Sequence, residues 1–270
     1  MVTRAPLVAL AVLVAALAVL SPTPAPPAAA AVYPDTTGEP VAFGGAGSYG
    51  SVAGVPLDAP VVAMATTSDG QGYWLAAADG GVFTFGDAGF YGSMGGKGLN
   101  AQVVAMAPAA GGKGYWLAAA DGGVFSFGDA RSSGSMGGKT LNGPVVGMAA
   151  DPATGGYWLV GADGGVFSFN TPFYGSMGGK ALNRPVVGMA ATPGGKGYWL
   201  VGADGGVFSF GDAAFYGSMG SQALTNPIIA LTPTPSGDGY WLLPTVPGYA
   251  EPWLLGRVWT GSPPPPGWWP

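Results

Sequence analysis

The side chains that could bind or react recur along this chain at a fixed interval. Lys97 and Asn100, Lys139 and Asn142, and Lys180 and Asn183 lie in Gly-rich loops reading GGKGLN, GGKTLN and GGKALN. Tyr91, Tyr174 and Tyr216 stand a few residues before loops of this kind. An aromatic face with an ammonium and an amide nearby suits a sugar: the ring stacks on the pyranose and the polar groups take its hydroxyls. Loops carry function more often than the elements they join. The competing reading is a solvated loop, with Asn in a turn and the tyrosines packing on an outer strand.

The carboxylates recur too. Asp79, Asp121, Asp163 and Asp204 open the word DGG in successive copies. A rim of carboxylates there would take sugar hydroxyls or a cation, but residues one copy apart stand too far from one another to share a metal. Turn chemistry, in which the side chain accepts a nearby backbone N–H, accounts for them. Asp87, Asp129 and Asp212 in the GDA word read the same way. A glycosidase needs two carboxylates flanking one bond, and these form no unique pair. Asp58, Asp69 and Asp151 are loop singletons with no visible partner. GGKT at 137–140 lacks the upstream Gly and the following helix of a phosphate-binding loop. The chain has no Cys and no His. That removes thiolate chemistry, the usual general base near neutral pH and any Ser-His-Asp triad. The expectation is a non-enzyme with no cofactor and no metal.

Charged residues are 9% of the chain and the net charge is −5, which leaves no basic footprint for nucleic acid. Gly and Pro are abundant, yet nine Trp and 12% aromatics set the sequence apart from disordered low-complexity chains. Residues 1–31 read as a signal peptide: Arg4, an apolar run from Leu7 to Leu20, SPTPAPP, then an Ala-rich cleavage stretch. The apolar run is shorter than the roughly 20 residues a spanning helix needs. The mature chain is therefore expected to be secreted, free of a membrane span and monomeric. Residues 248–270, ending in SPPPPGWWP, are expected to be an extended or disordered tail.

The elements that must position the loops follow from the repeat. GYWL starts at Gly72, Gly114, Gly156, Gly197 and Gly239, at spacings of 42, 42, 41 and 42. The missing residue lies where NTPF (Asn170–Phe173) replaces GDAAF. Each unit predicts four short strands, exemplified by Pro144–Ala150, Tyr157–Ala162, Val166–Phe169 and Phe173–Met177. These runs are β-branched and aromatic and are bounded by Gly, Pro, Asn and Asp. Asp-Gly between the second and third predicts a type I′ hairpin turn. No stretch of the mature domain carries helical periodicity. In YWL, Tyr and Leu face one way and Trp the other, so both faces are apolar, as in sheets stacked between sheets. Trp74, Trp116, Trp158, Trp199 and Trp241 are the predicted core, and the small residues suit sheets converging on a crowded axis.

A four-stranded unit of about 42 residues stacked on its neighbours is a β-propeller blade. The fold expected is all-β, a five-bladed propeller over 36–247. The fifth copy lacks a DGGVFSF word, while Thr36–Gly45 aligns with Ala78–Asp87 and puts Phe43 on Phe85. Val41–Phe43 is therefore expected to close the ring against Tyr240–Leu243.

From Phe43 to Leu243, the pattern GYWLVGADGGVFSFGDAAFYGSMGGK…LN.PVVGMAATP resembles a repeat of exported proteins from high-GC Gram-positive bacteria. There it occurs beside cell-wall-lytic and other secreted enzyme domains, or alone. This chain departs from it at Ser132–Ser133, at Gly45 and Asn170 in place of Asp, and at Gln222 in place of Lys. The blade count also resembles that of small lectin propellers that bind N-acetylated sugars, a likeness of architecture alone. The expected function is non-catalytic binding of cell-wall or extracellular glycan, multivalently, through repeated sites. The alternatives are a protein-interaction or structural surface module without a sugar site, and a hydrolase sited in the central channel.

Overall fold

The computed structural model describes Pro40 and residues 46–245. The expected leader, the closing strand Val41–Phe43 and the tail 248–270 lie outside the described residues. Five small antiparallel sheets are present among the described residues. The first holds β1 (Val61–Thr66), β2 (Gly72–Ala77) and β3 (Val82–Gly86). The second holds β4 (Val103–Pro108), β5 (Gly114–Ala119) and β6 (Val124–Gly128). The third holds β7 (Val145–Ala150), β8 (Tyr157–Gly161) and β9 (Val166–Phe169). The fourth holds β10 (Val186–Ala191), β11 (Gly197–Gly202) and β12 (Val207–Gly211). The fifth has two strands, β13 (Ile228–Pro233) and β14 (Tyr240–Pro244).

The first strands of successive sheets pack on one another, β1 on β4, β4 on β7, β7 on β10 and β10 on β13, whereas the third strands do not. The sheets thus fan outward from their first strands. The fan is crowded at its origin: a Cβ on Gly147 would stand 3.1 Å from Val160 Cγ1 and 3.5 Å from Gly188 Cα. Each first strand also carries a register shift, such as that between Val145 and Gly147, a bulge that twists the strand.

Three strands per intact sheet replace the four expected. The segment Phe173–Met177 and its counterparts are not strands, because their backbone groups are held by side chains of two sheets. Trp158 Nε1 donates to Pro172 O at 2.8 Å. From the next sheet, Tyr198 Oη donates to Gly175 O at 2.7 Å and accepts the Tyr174 N–H at 3.2 Å. The pattern recurs with Trp74 on Gly89 O, Trp116 on Arg131 O and Trp199 on Ala214 O. The segment is a strap pinned between an indole of its own sheet and a phenol of the following one.

The DGG hairpin loops are one residue longer than a type I′ turn. Ala77 N–H donates to Gly81 O at 2.8 Å and Gly80 N–H to Ala77 O at 2.9 Å. Gly80 has φ 81°, while Asn170 is the one non-glycine of positive φ among the described residues. This is the three-residue hairpin loop that ends on a left-handed Gly. Each turn Asp accepts the N–H two residues on, as Asp79 does from Gly81 at 2.9 Å and Asp163 from Gly165 at 3.0 Å. Those carboxylates are turn chemistry.

Tyr and Leu of YWL lie on the face opposite Trp, as expected; between neighbouring sheets the Trp of one packs on the Tyr and Leu of the next. Trp74, Trp116, Trp158 and Trp199 are fully buried. Their rings lie 5.6 Å from Tyr115, 5.2 Å from Tyr157, 5.3 Å from Tyr198 and 5.8 Å from Tyr240. Burial pushes the phenols of Tyr115, Tyr157 and Tyr198 above the ordinary tyrosine range, against the lowering effect of their backbone hydrogen bonds. The clamps therefore stay protonated wherever an exposed tyrosine would. Trp241 departs from the expected core: it is 62% exposed, and Leu243 on the same face is 56% exposed. At the other end of the array, Met64 is 48% exposed where Met106 and Met148 are buried. Among the described residues no sheet covers these two end faces.

The one-residue deletion is compensated within its own repeat. In the fourth sheet Thr192 Oγ1 donates to Asp212 Oδ1 at 2.8 Å. In the third sheet the pair is reversed, and Thr171 donates to the buried Asp151. Asp151 also accepts from Ala153 N at 2.8 Å and Thr154 Oγ1 at 2.7 Å. The singleton of the sequence thus has three partners. Asn170, at φ 52°, takes the place of Gly211, at φ 69°, a conformation Asn tolerates better than most residues.

Candidate ligand-binding site

The GGK loops are turns fixed by their own backbone. Lys97 N–H donates to Met94 O, Lys139 N–H to Met136 O and Lys180 N–H to Met177 O, each at 2.9 Å. Gly96, Gly138 and Gly179 carry φ 73°, 76° and 76°. All three lysines and Asn100, Asn142 and Asn183 are exposed. The Lys97 ammonium folds back onto Ser93 O at 3.0 Å, and the Lys139 ammonium lies 4.0 Å from Met136 Sδ.

The tyrosines sit elsewhere on the straps. Tyr174 is half-buried, with its ring 6.2 Å from Trp158 and 5.9 Å from Tyr198. Its hydroxyl donates to Gly195 O at 3.2 Å, in the β10–β11 turn of the next sheet. Tyr91 is half-buried between Trp74, at 6.5 Å, and Tyr115, at 5.9 Å. Tyr216, on the last strap, is 48% exposed and donates to Gly237 O at 3.0 Å. Met177 N–H, three residues after Tyr174, donates to Gly164 O in the β8–β9 turn. The strap therefore crosses from one end of the sheets to the other. The tyrosine hydroxyls lie at one end and the Lys/Asn loops at the opposite end.

Asn183 lines a cleft of about 230 Å³. The cleft lies between the loop entering the fourth sheet, the β11–β12 turn and the strap leaving that sheet. Leu182, Asn183 and Arg184 come from the loop, Asp204 from the turn, Phe208 from β12 and Ser218 from the strap. Asp204 Oδ1 is engaged by the Gly206 N–H at 2.9 Å. An amide, a guanidinium, a carboxylate and a hydroxyl thus share the lining with Leu182, Val207 and Phe208. These side chains bring hydrogen-bond donors and acceptors to one cleft. The volume lies below the roughly 300 Å³ at which drug-sized pockets begin. Among the described residues no group of three or more metal-ligating side chains occurs.

Two features of this surface escape the sequence reading. Arg184 stands where the other loops have Ala101 and Gly143, so it drew no notice as part of a repeat. Phe90, Phe173 and Phe215 precede the strap tyrosines and are 61%, 59% and 60% exposed. Their signal was the FY pair itself, in which one ring packs and the other projects.

No protein-family model and no curated protein matches this sequence.

Proposed function

We propose that this protein is a secreted, non-catalytic binding module for a cell-wall or extracellular glycan. The cleft of Asn183, Arg184, Asp204 and Ser218 carries this reading. It sets planar hydrogen-bonding groups beside Leu182 and Phe208, a mixture that suits a pyranose. Asn100 and Asn142 recur at the same place in the repeat with Asp121 and Asp163, so weaker versions of the site repeat along one rigid body. Repetition of weak sites multiplies retention on a polymer without new contacts.

The finer form of the fold belongs to the same proposal: the five sheets close into a five-bladed propeller. Two complementary end faces support closure. Among the described residues, Trp241 has no following Tyr of the kind every other strand Trp has, and Tyr73 has no preceding Trp. Val41–Phe43 would supply the third strand that the fifth sheet lacks.

Co-sedimentation of the purified chain with peptidoglycan and with chitin, competed by free N-acetylglucosamine, tests the binding reading. Competed sedimentation is expected. Absence of sedimentation on every wall polymer would leave a protein partner as the better account.

A further inference from the structure

We infer that Phe90, Phe173 and Phe215 are stacking platforms that extend the glycan site along the straps; this rests on the glycan reading above. The three rings share nearly the same exposure, 61%, 59% and 60%, so each strap presents its Phe alike. The backbone on either side is pinned. For Phe215, the preceding carbonyl of Ala214 accepts the Trp199 indole at 2.7 Å, and the following N–H of Tyr216 meets Tyr240 Oη at 3.2 Å. For Phe173 the same clamps are Trp158 on Pro172 O and Tyr198 on the Tyr174 N–H. An exposed ring on a backbone held at both neighbours is preorganised, and little further freedom is lost when a ligand settles on it.

The fold itself does not ask for the ring. The strap of the second sheet has Ser132 in the same place, yet keeps the clamp of Trp116 on Arg131 O at 2.8 Å and that of Tyr157 on Gly134 O at 2.5 Å. Phe173 and Phe215 lie one repeat apart and Phe90 two repeats before Phe173, a spacing unlike the single contiguous patch that a protein partner or a bilayer requires. A regularly repeating polymer with apolar sugar faces does fit them. Phe215 also shares its strap with the cleft. Phe215 and the cleft residue Ser218 are three residues apart on one strap, a separation of at most about 11 Å even in a fully extended chain. One sugar in the cleft and a neighbouring unit of the same chain on Phe215 make a single extended site.

The test compares N-acetylglucosamine hexamer with dimer, by calorimetry, on the wild-type chain and on Phe90→Ala/Phe173→Ala/Phe215→Ala. The wild type is expected to favour the hexamer, and loss of the rings to weaken hexamer binding about five- to tenfold, the worth of an aromatic stacking contact, with dimer affinity unchanged. The melting temperature is expected to hold, because the rings are exposed and Ser132 already replaces one. Ser132→Phe is expected to tighten hexamer binding. If the wild type binds both sugars and the triple variant binds them equally well, the platforms are refuted and the cleft reading stands. If the wild type binds neither sugar, both fall.

Discussion

Trp158→Ala is expected to lower the free energy of unfolding by about 3–5 kcal/mol, the usual cost of truncating a large buried aromatic. Trp158 is fully buried. It spans the space between the third and fourth sheets, with its ring 5.3 Å from Tyr198. The truncation opens a cavity between two sheets. It also strips the part-buried Pro172 carbonyl of its indole donor, which adds to the cost. Trp158→Phe keeps most of the packing and loses the donor, so its cost should fall between the wild type and the alanine variant. Urea unfolding followed by far-ultraviolet circular dichroism measures both. A Trp158→Ala variant that unfolds at the wild-type midpoint would mean that sheets three and four are not held together in this way.

Gly175→Ala is expected to cost nearly as much, about 2–4 kcal/mol, from backbone strain together with overpacking. Gly175 has φ 135°, a region side chains rarely enter, and a Cβ there would stand 2.5 Å from Phe210 Cδ1. Gly217 is its counterpart on the next strap, with φ 124°. Among the described residues, a Cβ on Gly217 meets nothing within 4 Å, and the fifth sheet has no third strand whose Phe would lie beneath it. The pair therefore reads out ring closure. If Val41–Phe43 completes the fifth sheet, Phe43 comes under Gly217, as its alignment with Phe85 implies. Gly217→Ala should then cost as much as Gly175→Ala, and Phe43→Ala should relieve part of that cost in a double-mutant cycle. A smaller cost at Gly217, with no coupling to Phe43, would leave the array open.

The strands were legible because their signals are local. The expected Val166–Phe169 is β9 itself, and the expected Tyr157–Ala162 ends one residue beyond β8. The alternation in YWL gave the two faces and the buried tryptophans. The strap was not legible as a strap, since its partners are an indole and a phenol on two different sheets and its own run looks like a short strand. The hairpin turn was misread by one residue because Asp-Gly-Gly admits two loop lengths, and the flanking pairing of Ala77 with Gly81 decides between them. The exchange of Thr192–Asp212 for Asp151–Thr171 left a visible trace: the only deletion and the only Asp at that turn position fall in the same repeat. At the candidate site, the repeat pointed to Asn183, which does line the cleft. It could not separate the packed Tyr of each FY pair from the exposed Phe, because both belong to one β-like run and only the strap's path between sheets sorts them.

The number of sugar chains bound per protein decides whether the repeated loops are glycan sites. Titration of the full chain with N-acetylglucosamine hexamer, followed by calorimetry and by analysis of the recovered sugar, gives that number and any turnover together. More than one hexamer per chain, weak individual affinity and sugar recovered intact are expected. A single binding event per chain, cleaved sugar, or no heat at all would contradict multivalent, non-catalytic glycan binding.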